Sequence, residues 1–279
     1  SVGPLGAVAW LGVARAGSYT ASAWPPWVLA HATSQFYGWI GLFVMGFALQ
    51  QHVQRTDRLD ACRRMAIGSL LLVLSGLVLR FAAEPLAAAG QPIGVPLGVV
   101  SAVLQLCGVA LFVWNLHWTR RPGGAGPGWP SVFVFTSLGW WMLVALAEPW
   151  MVVGSHGPGG WAFVVRLFGP YREAQFLGFV AQMVLGVAMT KFHSCFAMRE
   201  ASRRLGLTAF FLWNVGLVVR GIGWLLYKES GFDGVAGVPY LSGAFLLAAG
   251  AFAAVASIGV LEQGRESTRP NPLLTDAFS

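Results

Sequence analysis

Charged residues are scarce in this sequence. Asp, Glu, Lys and Arg make up 10% of the 279 residues, whereas apolar residues make up 56%. A soluble domain would carry roughly 25% charged residues, most of them on its surface. The composition therefore excludes an ordinary soluble domain and indicates an integral membrane protein.

Cysteine and recognisable catalytic motifs are also lacking. The three cysteines, Cys62, Cys107 and Cys195, show no Cys-x-x-Cys or Cys-His spacing, which excludes a disulfide framework and a zinc knuckle. The sequence contains no Walker-type loop, no zinc-protease helix and no nucleophile beside a positioned base. Whether the protein is an enzyme stays open.

The sequence contains long apolar runs that are almost free of charged residues. A run of about 20 residues suits a membrane-spanning helix, and an open sheet edge cannot be satisfied in lipid. We predict seven spans, at 28–50, 65–84, 96–118, 130–153, 174–192, 205–227 and 239–261. The apolar stretch 2–14 is too short to span, so we expect a truncated first helix there. A cleaved signal peptide upstream is the alternative.

A spacing of 140 residues relates the two halves of the chain. This recurrence indicates a tandem duplication of a four-helix unit. We therefore predict an all-α transmembrane bundle with a first repeat at 1–121, a linker at 122–129, a second repeat at 130–262 and a tail at 263–279. The residues that recur include Gln35 and Gln175, Phe36 and Phe176, Arg63 and Arg203, Gly76 and Gly216, and Arg80 and Arg220.

The basic residues outside the spans are distributed unevenly. Twelve fall on one side of the predicted membrane and four on the other, which places the basic side and the C-terminus in the cytoplasm. We expect a multi-pass protein of the inner (cytoplasmic) membrane. Attraction to anionic lipid accounts for the net charge of +7 without nucleic-acid binding.

Two arginines are predicted to lie at membrane depth, where a charge costs at least about 2.5 kcal/mol. Arg80 has Glu84 four residues later on the same helix face, and Glu148 ends another helix on the same side. One hypothesis is structural: Arg80 pairs with Glu84, Arg220 pairs with Glu148 or helix-end carbonyls, and both reach outward. The other is that Arg80 and Arg220 hold an anionic group such as a haem propionate or a carboxylate.

A polar stripe precedes each arginine helix. His31, Gln35, Gly38 and Leu42 share one helix face, and the second repeat has Tyr171, Gln175, Gly178 and Gln182 at the matching positions. A neutral imidazole is a good axial ligand for haem iron and a good copper ligand. His31 is thus a candidate metal ligand, with an interfacial hydrogen-bonding residue as the alternative.

The remaining histidines lie outside this stripe. His52, His117 and His193 fall at the basic ends of spans, where they form either a second metal site or ordinary interface residues. His156 falls in a glycine-rich loop on the opposite side, with no evident partner.

The motif His31-Ala32-Thr33-Ser34-Gln35-Phe36-Tyr37-Gly38-Trp39, with the runs 45–48, 77–85 and 174–187, resembles the NnrS family of haem- and copper-containing membrane proteins associated with nitric oxide. The resemblance implies haem ligated by histidine in the outer half of the bundle and a role with nitrogen oxides. His31 is the one histidine that matches the motif. Thr33 replaces an expected histidine, and five histidines are too few for a complete haem-copper oxidase centre.

Three functions follow as hypotheses. The first is a haem-binding protein in which His31 ligates iron, Arg80 and Arg220 neutralise propionates, and Gln35 and Gln175 line the pocket; copper is a possible second cofactor. Its ligand is a small gas, or it exchanges electrons with a redox partner. The second is a small-anion carrier with an Arg80/Arg220 clamp. The third is an accessory membrane subunit without a cofactor.

Overall fold

The computed structural model describes residues 31–53, 56–119, 128–157, 167, 169–195 and 200–230. Of residues 191–195, 200–202 and 224–230 it describes the backbone alone. These parts of the chain are helical apart from short connections. The stretch 2–14, the seventh predicted span at 239–261 and the tail lie outside the described residues.

Six of the described helices are long and apolar enough to cross a membrane. The first four are α1 (His31–Val53), α2 (Leu59–Ala88), α3 (Gly94–Trp118) and α4 (Ser131–His156). Helix α5 has its apolar span at Gly169–Thr190 and continues to Cys195. Helix α6 runs over Glu200–Ser230, with its span at Arg203–Gly223. Six of the predicted spans thus correspond to helices.

Many large apolar side chains of these helices face outward. Phe43, Val78 and Trp150 are among the most exposed large side chains, while Arg80, Glu84 and Glu148 are almost completely buried. This arrangement suits a protein whose surroundings are lipid tails, because the apolar groups meet hydrocarbon and the charges face protein. The fold is that of a multi-pass membrane protein.

The observed helices extend beyond several predicted spans. Helix α2 begins at Leu59 and ends at Ala88, so it contains Arg63, Arg64 and the buried Cys62, all of which precede the predicted span at 65–84. Hydropathy marks only the apolar part of a helix, whereas the backbone hydrogen bonds continue into the polar ends. Six of the seven predicted spans therefore match described helices, and the span of α2 was predicted too short.

Two segments of π-helix interrupt the apolar helices. They lie at Ser34–Gly41 in α1 and at Ala174–Ala181 in α5, and each has eight residues. The two segments are 140 residues apart, the spacing of the sequence repeat. A π-helix displaces the residues that follow it relative to α-helical spacing, and such segments are frequent at functional sites.

The two predicted polar stripes differ in burial, although each contains a π-segment. In the second stripe Tyr171, Gln175, Gly178 and Gln182 are all buried. In the first stripe His31 is exposed, and Gln35, Gly38 and Leu42 are only half-buried. The two stripes share their sequence pattern but not their burial.

Helices α2 and α3 form a close antiparallel pair. A Cβ atom at Gly76 would lie 2.8 Å from the carbonyl oxygen of Ser101 and 2.7 Å from Cγ of Gln105, so only glycine fits here. The close approach lets the Ser101 hydroxyl donate a hydrogen bond of 2.7 Å to the carbonyl of Gly76. Small residues at a membrane helix interface commonly permit such packing.

The chain divides into two compact units. Unit 1 comprises 1–126 and 138–175, and unit 2 comprises 127–137 and 176–279. Unit 1 therefore contains α1, α2, α3, most of α4 and the beginning of α5. In unit 2, Phe133, Met189 and Ala209 form a small apolar core, with the rings of Phe133 and Phe210 edge to face.

Candidate functional site

Arg80 is the centre of a buried group of polar side chains in unit 1. Its side chain is 1% exposed, and its Nε atom lies 2.8 Å from Oε1 of Glu84, one helical turn further along α2. Its Nη2 atom lies 3.9 Å from Oε1 of Glu148 on α4. Arg80 thus faces two carboxylates inside the protein. The structural hypothesis had Arg80 reach outward, which differs from this arrangement.

Glu148 is anchored by a residue of α1. The hydroxyl of Thr33 donates a hydrogen bond of 3.0 Å to Oε1 of Glu148, and both side chains are buried. Because Thr33 immediately precedes the π-segment of α1, this bond fixes the start of that segment against α4. The predicted pairing of Arg220 with Glu148 or with helix-end carbonyls stays a prediction.

His156 lies beside Glu84. It is the last residue of α4 and not part of a loop, because the helix continues to that position. Its Nε2 atom is 3.5 Å from Oε2 of Glu84, and its Nδ1 atom is 2.9 Å from the carbonyl of Val152. The side chain of His156 retains 9% exposure, against 1% for Glu84. The histidine therefore stands between the buried carboxylate and the surface.

A second arginine completes this group. The Nη1 atom of Arg172 donates a hydrogen bond of 2.5 Å to Oε1 of Gln175. Arg172 also acts electrostatically on Glu148 and on Tyr37, whose side chain is fully buried. Thr33, Tyr37, Arg80, Glu84, Glu148, His156, Arg172 and Gln175 are called the charge cluster below.

The hydrogen-bonding capacity of the charge cluster is only partly used. Both Nη atoms of Arg80, the hydroxyl of Tyr37 and Nε2 of Gln175 are buried without a hydrogen-bond partner among the described residues. All are donors, since each carries hydrogen. A buried donor left without an acceptor costs about 1–3 kcal/mol. Oε2 of Glu84 and Oε2 of Glu148 are buried acceptors without a hydrogen-bond partner among the same residues. The unused donors would be satisfied by an acceptor-rich ligand or by water.

The charges of the cluster are balanced. Arg80 and Arg172 carry two positive charges, and Glu84 and Glu148 carry two negative charges. The groups that act electrostatically on Glu148 are Arg80, Arg172 and Glu84. Adding a lone anion would leave the site one charge negative in a poorly solvated environment.

The structure places the other predicted site residues as follows. His31 is exposed, Gln35 is half-buried, and Gln175 is fully buried beside Arg172. Arg220 is half-buried and belongs to unit 2. Within unit 1 the arginine that joins Arg80 is Arg172, which the sequence analysis did not select.

The opposite end of unit 1 contains a different polar network. His52 contacts Oγ1 of Thr119 through Nε2 at 2.7 Å, and Thr119 Oγ1 donates to the carbonyl of Asn115 at 2.7 Å. Asn115 donates to the carbonyl of Cys62 at 3.0 Å, and Thr56 donates to that of Thr119 at 2.5 Å. These five residues are called the basic-end network, and they join the ends of α1, α2 and α3.

The predicted second metal site gains no support from this network. Because the Thr119 hydroxyl donates to Asn115, it accepts from His52, so Nε2 of His52 carries a hydrogen and is not a free ligand. His117 is exposed, and the side chain of His193 lies outside the described residues. Among the described residues no group of three His, Cys, Asp or Glu side chains suits a metal ion.

Haem propionates do not fit Arg80 as the structure shows it. The arginine already faces Glu84 and Glu148, and two further carboxylates would bring four negative charges to Arg80 and Arg172. The predicted propionate role of Arg80 therefore conflicts with its surroundings. An axial role for His31 is not affected by this conflict, because His31 is not part of the charge cluster.

Sequence reasoning missed four members of the cluster: Thr33, Tyr37, His156 and Arg172. Arg172 was counted with the loops because it lies just before the apolar run of α5. His156 was counted with a loop because glycines surround it. One signal was present, because Glu148 and His156 are eight residues apart, about two turns of one helix.

No family model, curated protein or solved structure matches this chain.

Proposed function

We propose that this protein is a carrier that binds a small monovalent anion at the charge cluster of unit 1. The observation that supports the proposal is the set of buried donors around Arg80: its two Nη atoms, the Tyr37 hydroxyl and Nε2 of Gln175. Guanidinium and phenol groups bind anions through charge-assisted and neutral hydrogen bonds. Ionisable groups buried at membrane depth commonly mark the pathway of a substrate or ion.

The burial of the cluster limits the size of the ligand. Arg80 is 1% exposed and Tyr37 and Gln175 are not exposed at all, so a ligand of few atoms must fit between closed helices. Arg172 replaces Arg220 as the second arginine in this version of the carrier hypothesis. Arg172 acts electrostatically on the same groups as Arg80, and both lie in unit 1.

The proposed membrane arrangement follows the sequence pattern. It consists of seven spans in two tandem repeats in the inner membrane, with the C-terminus in the cytoplasm. The π-segments at Ser34–Gly41 and Ala174–Ala181 support the repeat, because they recur at its spacing.

Titration calorimetry with chloride and nitrate on the purified full-length chain in lipid nanodiscs tests anion binding. Tyr37→Phe removes one donor without changing the shape of the side chain, so we expect affinity to fall about tenfold, corresponding to one lost hydrogen bond. Stability without ligand should stay the same or increase, because the hydroxyl has no hydrogen-bond partner to lose within the described part of the chain. A purely structural tyrosine would show no loss of affinity.

A pair of matched substitutions locates the site. Arg80→Lys keeps the charge but loses the planar donors, so we expect binding to be abolished. Arg63→Lys makes the same change at an exposed position in the first turns of α2 and should leave binding intact. If Arg220→Lys loses binding and Arg80→Lys does not, the site belongs to unit 2. If the unsubstituted protein binds neither chloride nor nitrate, the proposal is refuted.

Haem binding by His31, of the NnrS kind, is the second proposal. The specific observation in its favour is that a π-segment begins directly after the His31-Ala32-Thr33 turn, within the motif that carries the resemblance. A reduced-minus-oxidised spectrum with a pyridine haemochrome assay tests it on protein produced with ample haem. We expect a signal that is lost or shifted in His31→Ala. Absence of haem from the unsubstituted protein would remove this proposal and leave the anion proposal unaffected.

A further inference from the structure

The contact between His156 and Glu84 connects the charge cluster to the surface. The carboxylate oxygens of Glu84 are shielded from solvent, since the side chain is 1% exposed. The imidazole of His156 lies 3.5 Å from Oε2 of Glu84 and retains 9% exposure. Among the described residues, Arg80 acts electrostatically on His156, and Glu84 acts on Glu148, which in turn faces Arg80, Arg172 and Tyr37.

The hydrogen bonds of His156 determine which nitrogen exchanges a proton. Its Nδ1 atom is 2.9 Å from the carbonyl of Val152, and a carbonyl oxygen can only accept. Nδ1 also lies 3.0 Å from Oγ of Ser155, a hydroxyl that can donate to it when the ring is neutral. Nε2 is buried and faces Glu84, so the proton from solution enters at Nδ1 and the proton passed to Glu84 leaves from Nε2.

The charge balance supplies a reason for such a proton. With Glu84 and Glu148 ionised, the positive charges of Arg80 and Arg172 are fully compensated. Protonation of Glu84 would leave the cluster with one uncompensated positive charge. A single monovalent anion would then restore neutrality, which is strongly favoured inside a membrane.

We propose that His156 takes a proton from solution and passes it to Oε2 of Glu84, so that each bound anion is accompanied by one proton. In this step the Nε2–H bond of the imidazolium breaks and an O–H bond forms on Glu84, leaving a neutral ring and a neutral carboxyl. The separation of 3.5 Å must close to about 3 Å, or one water must bridge it. The inference rests on the proposed anion site and makes that site proton-coupled.

The first test is the number of protons taken up when chloride or nitrate binds. The full-length protein in nanodiscs is mixed with the anion in weakly buffered solution that contains a pH-indicator dye. We expect about one proton per anion, and an affinity that rises about tenfold for each unit of falling pH while Glu84 is ionised in the free protein. Binding without proton uptake and without pH dependence would overturn the inference and leave the anion site standing.

Two substitutions separate the roles of Glu84 and His156. Glu84→Gln has the shape of the protonated carboxyl, so it should bind the anion at high pH with no proton uptake; a structural role for Glu84 would not increase affinity. His156→Gln should take up the same number of protons about 100-fold more slowly. His117→Gln, the same change at an exposed position on α3, should match the unsubstituted protein.

The possible results are distinguishable. Failure of chloride and nitrate to bind at any pH would remove the anion site and the proton coupling together. An unchanged rate of uptake in His156→Gln would overturn the role of His156. If Glu84→Gln does not fold, the proton count of the unsubstituted protein and the rate in His156→Gln still decide the question.

Discussion

The charge cluster and the basic-end network lie at opposite ends of the same helices in unit 1. In the basic-end network His52, Thr56, Asn115 and Thr119 are buried, and each takes part in a hydrogen bond of 3.0 Å or less. In the charge cluster Arg80, Tyr37 and Gln175 are equally buried, yet each has donors without a partner among the described residues. A satisfied network stabilises the fold by itself, whereas an unsatisfied one costs free energy unless something binds there.

This difference distinguishes buried polar groups that stabilise the fold from buried polar groups that serve a function. Buried polar groups are hydrogen-bonded in the basic-end network, which joins helix ends. In the charge cluster, where ionisable groups lie together, several buried donors have no partner among the described residues. Such violations are expected at functional sites. Burial of polar residues alone would not have distinguished the two ends.

The largest loss of stability is expected from removal of Arg80 in the charge cluster. Arg80→Met leaves Glu84 and Glu148 buried without their main counter-charge, and we expect a loss of about 4 kcal/mol in the free energy of unfolding. Unfolding with increasing SDS, followed by circular dichroism, measures this loss. The double variant Arg80→Met/Glu84→Leu removes one charge of each sign and should recover most of the stability without anion binding. If the double variant is no more stable than Arg80→Met, the assumed charge balance is wrong.

A smaller effect is expected from Gly98, which lies on α3 at the charge-cluster end. A Cβ atom there would lie 2.8 Å from Cγ1 of Val152, so Gly98→Ala should cost about 2 kcal/mol by overpacking. Adding Val152→Ala removes the clash and should restore stability, as a double-mutant cycle would show. Gly139→Ala is the matched control, because no atom of another described element lies within 4 Å of its Cβ position. Equal losses at Gly98 and Gly139 would argue against this packing.

The smallest effect should come from the basic-end network. Thr119→Val keeps the shape of the side chain but removes the hydroxyl that accepts from His52 and donates to Asn115. We expect a loss of about 1 kcal/mol in the same SDS titration, with anion affinity unchanged. A change in affinity would show that the two ends are coupled and would contradict the division between them.

Hydropathy predicted the helices well. Apolar runs identified each of the six described spans, because lipid requires about 20 apolar residues and internally bonded backbone. Arg80 and Glu84 were also found together from their spacing, since residues four apart share a helix face. The contacts of Arg80 with Glu148, and of Glu148 with Thr33, were not predictable in this way. Those residues come from different helices, and neither helix period nor hydropathy contains information about which helices are neighbours.

The sequence by itself therefore determined the all-helical membrane class, the positions of the spans and the presence of a charge at membrane depth. These follow from local composition, because the cost of exposing polar backbone or charge to lipid applies to each segment separately. Only the tertiary structure decided that Arg172, Tyr37 and His156 join Arg80, while the polar groups at the other end bond to one another. Hydrogen bonding and charge balance depend on distances between side chains of different helices, which packing alone determines.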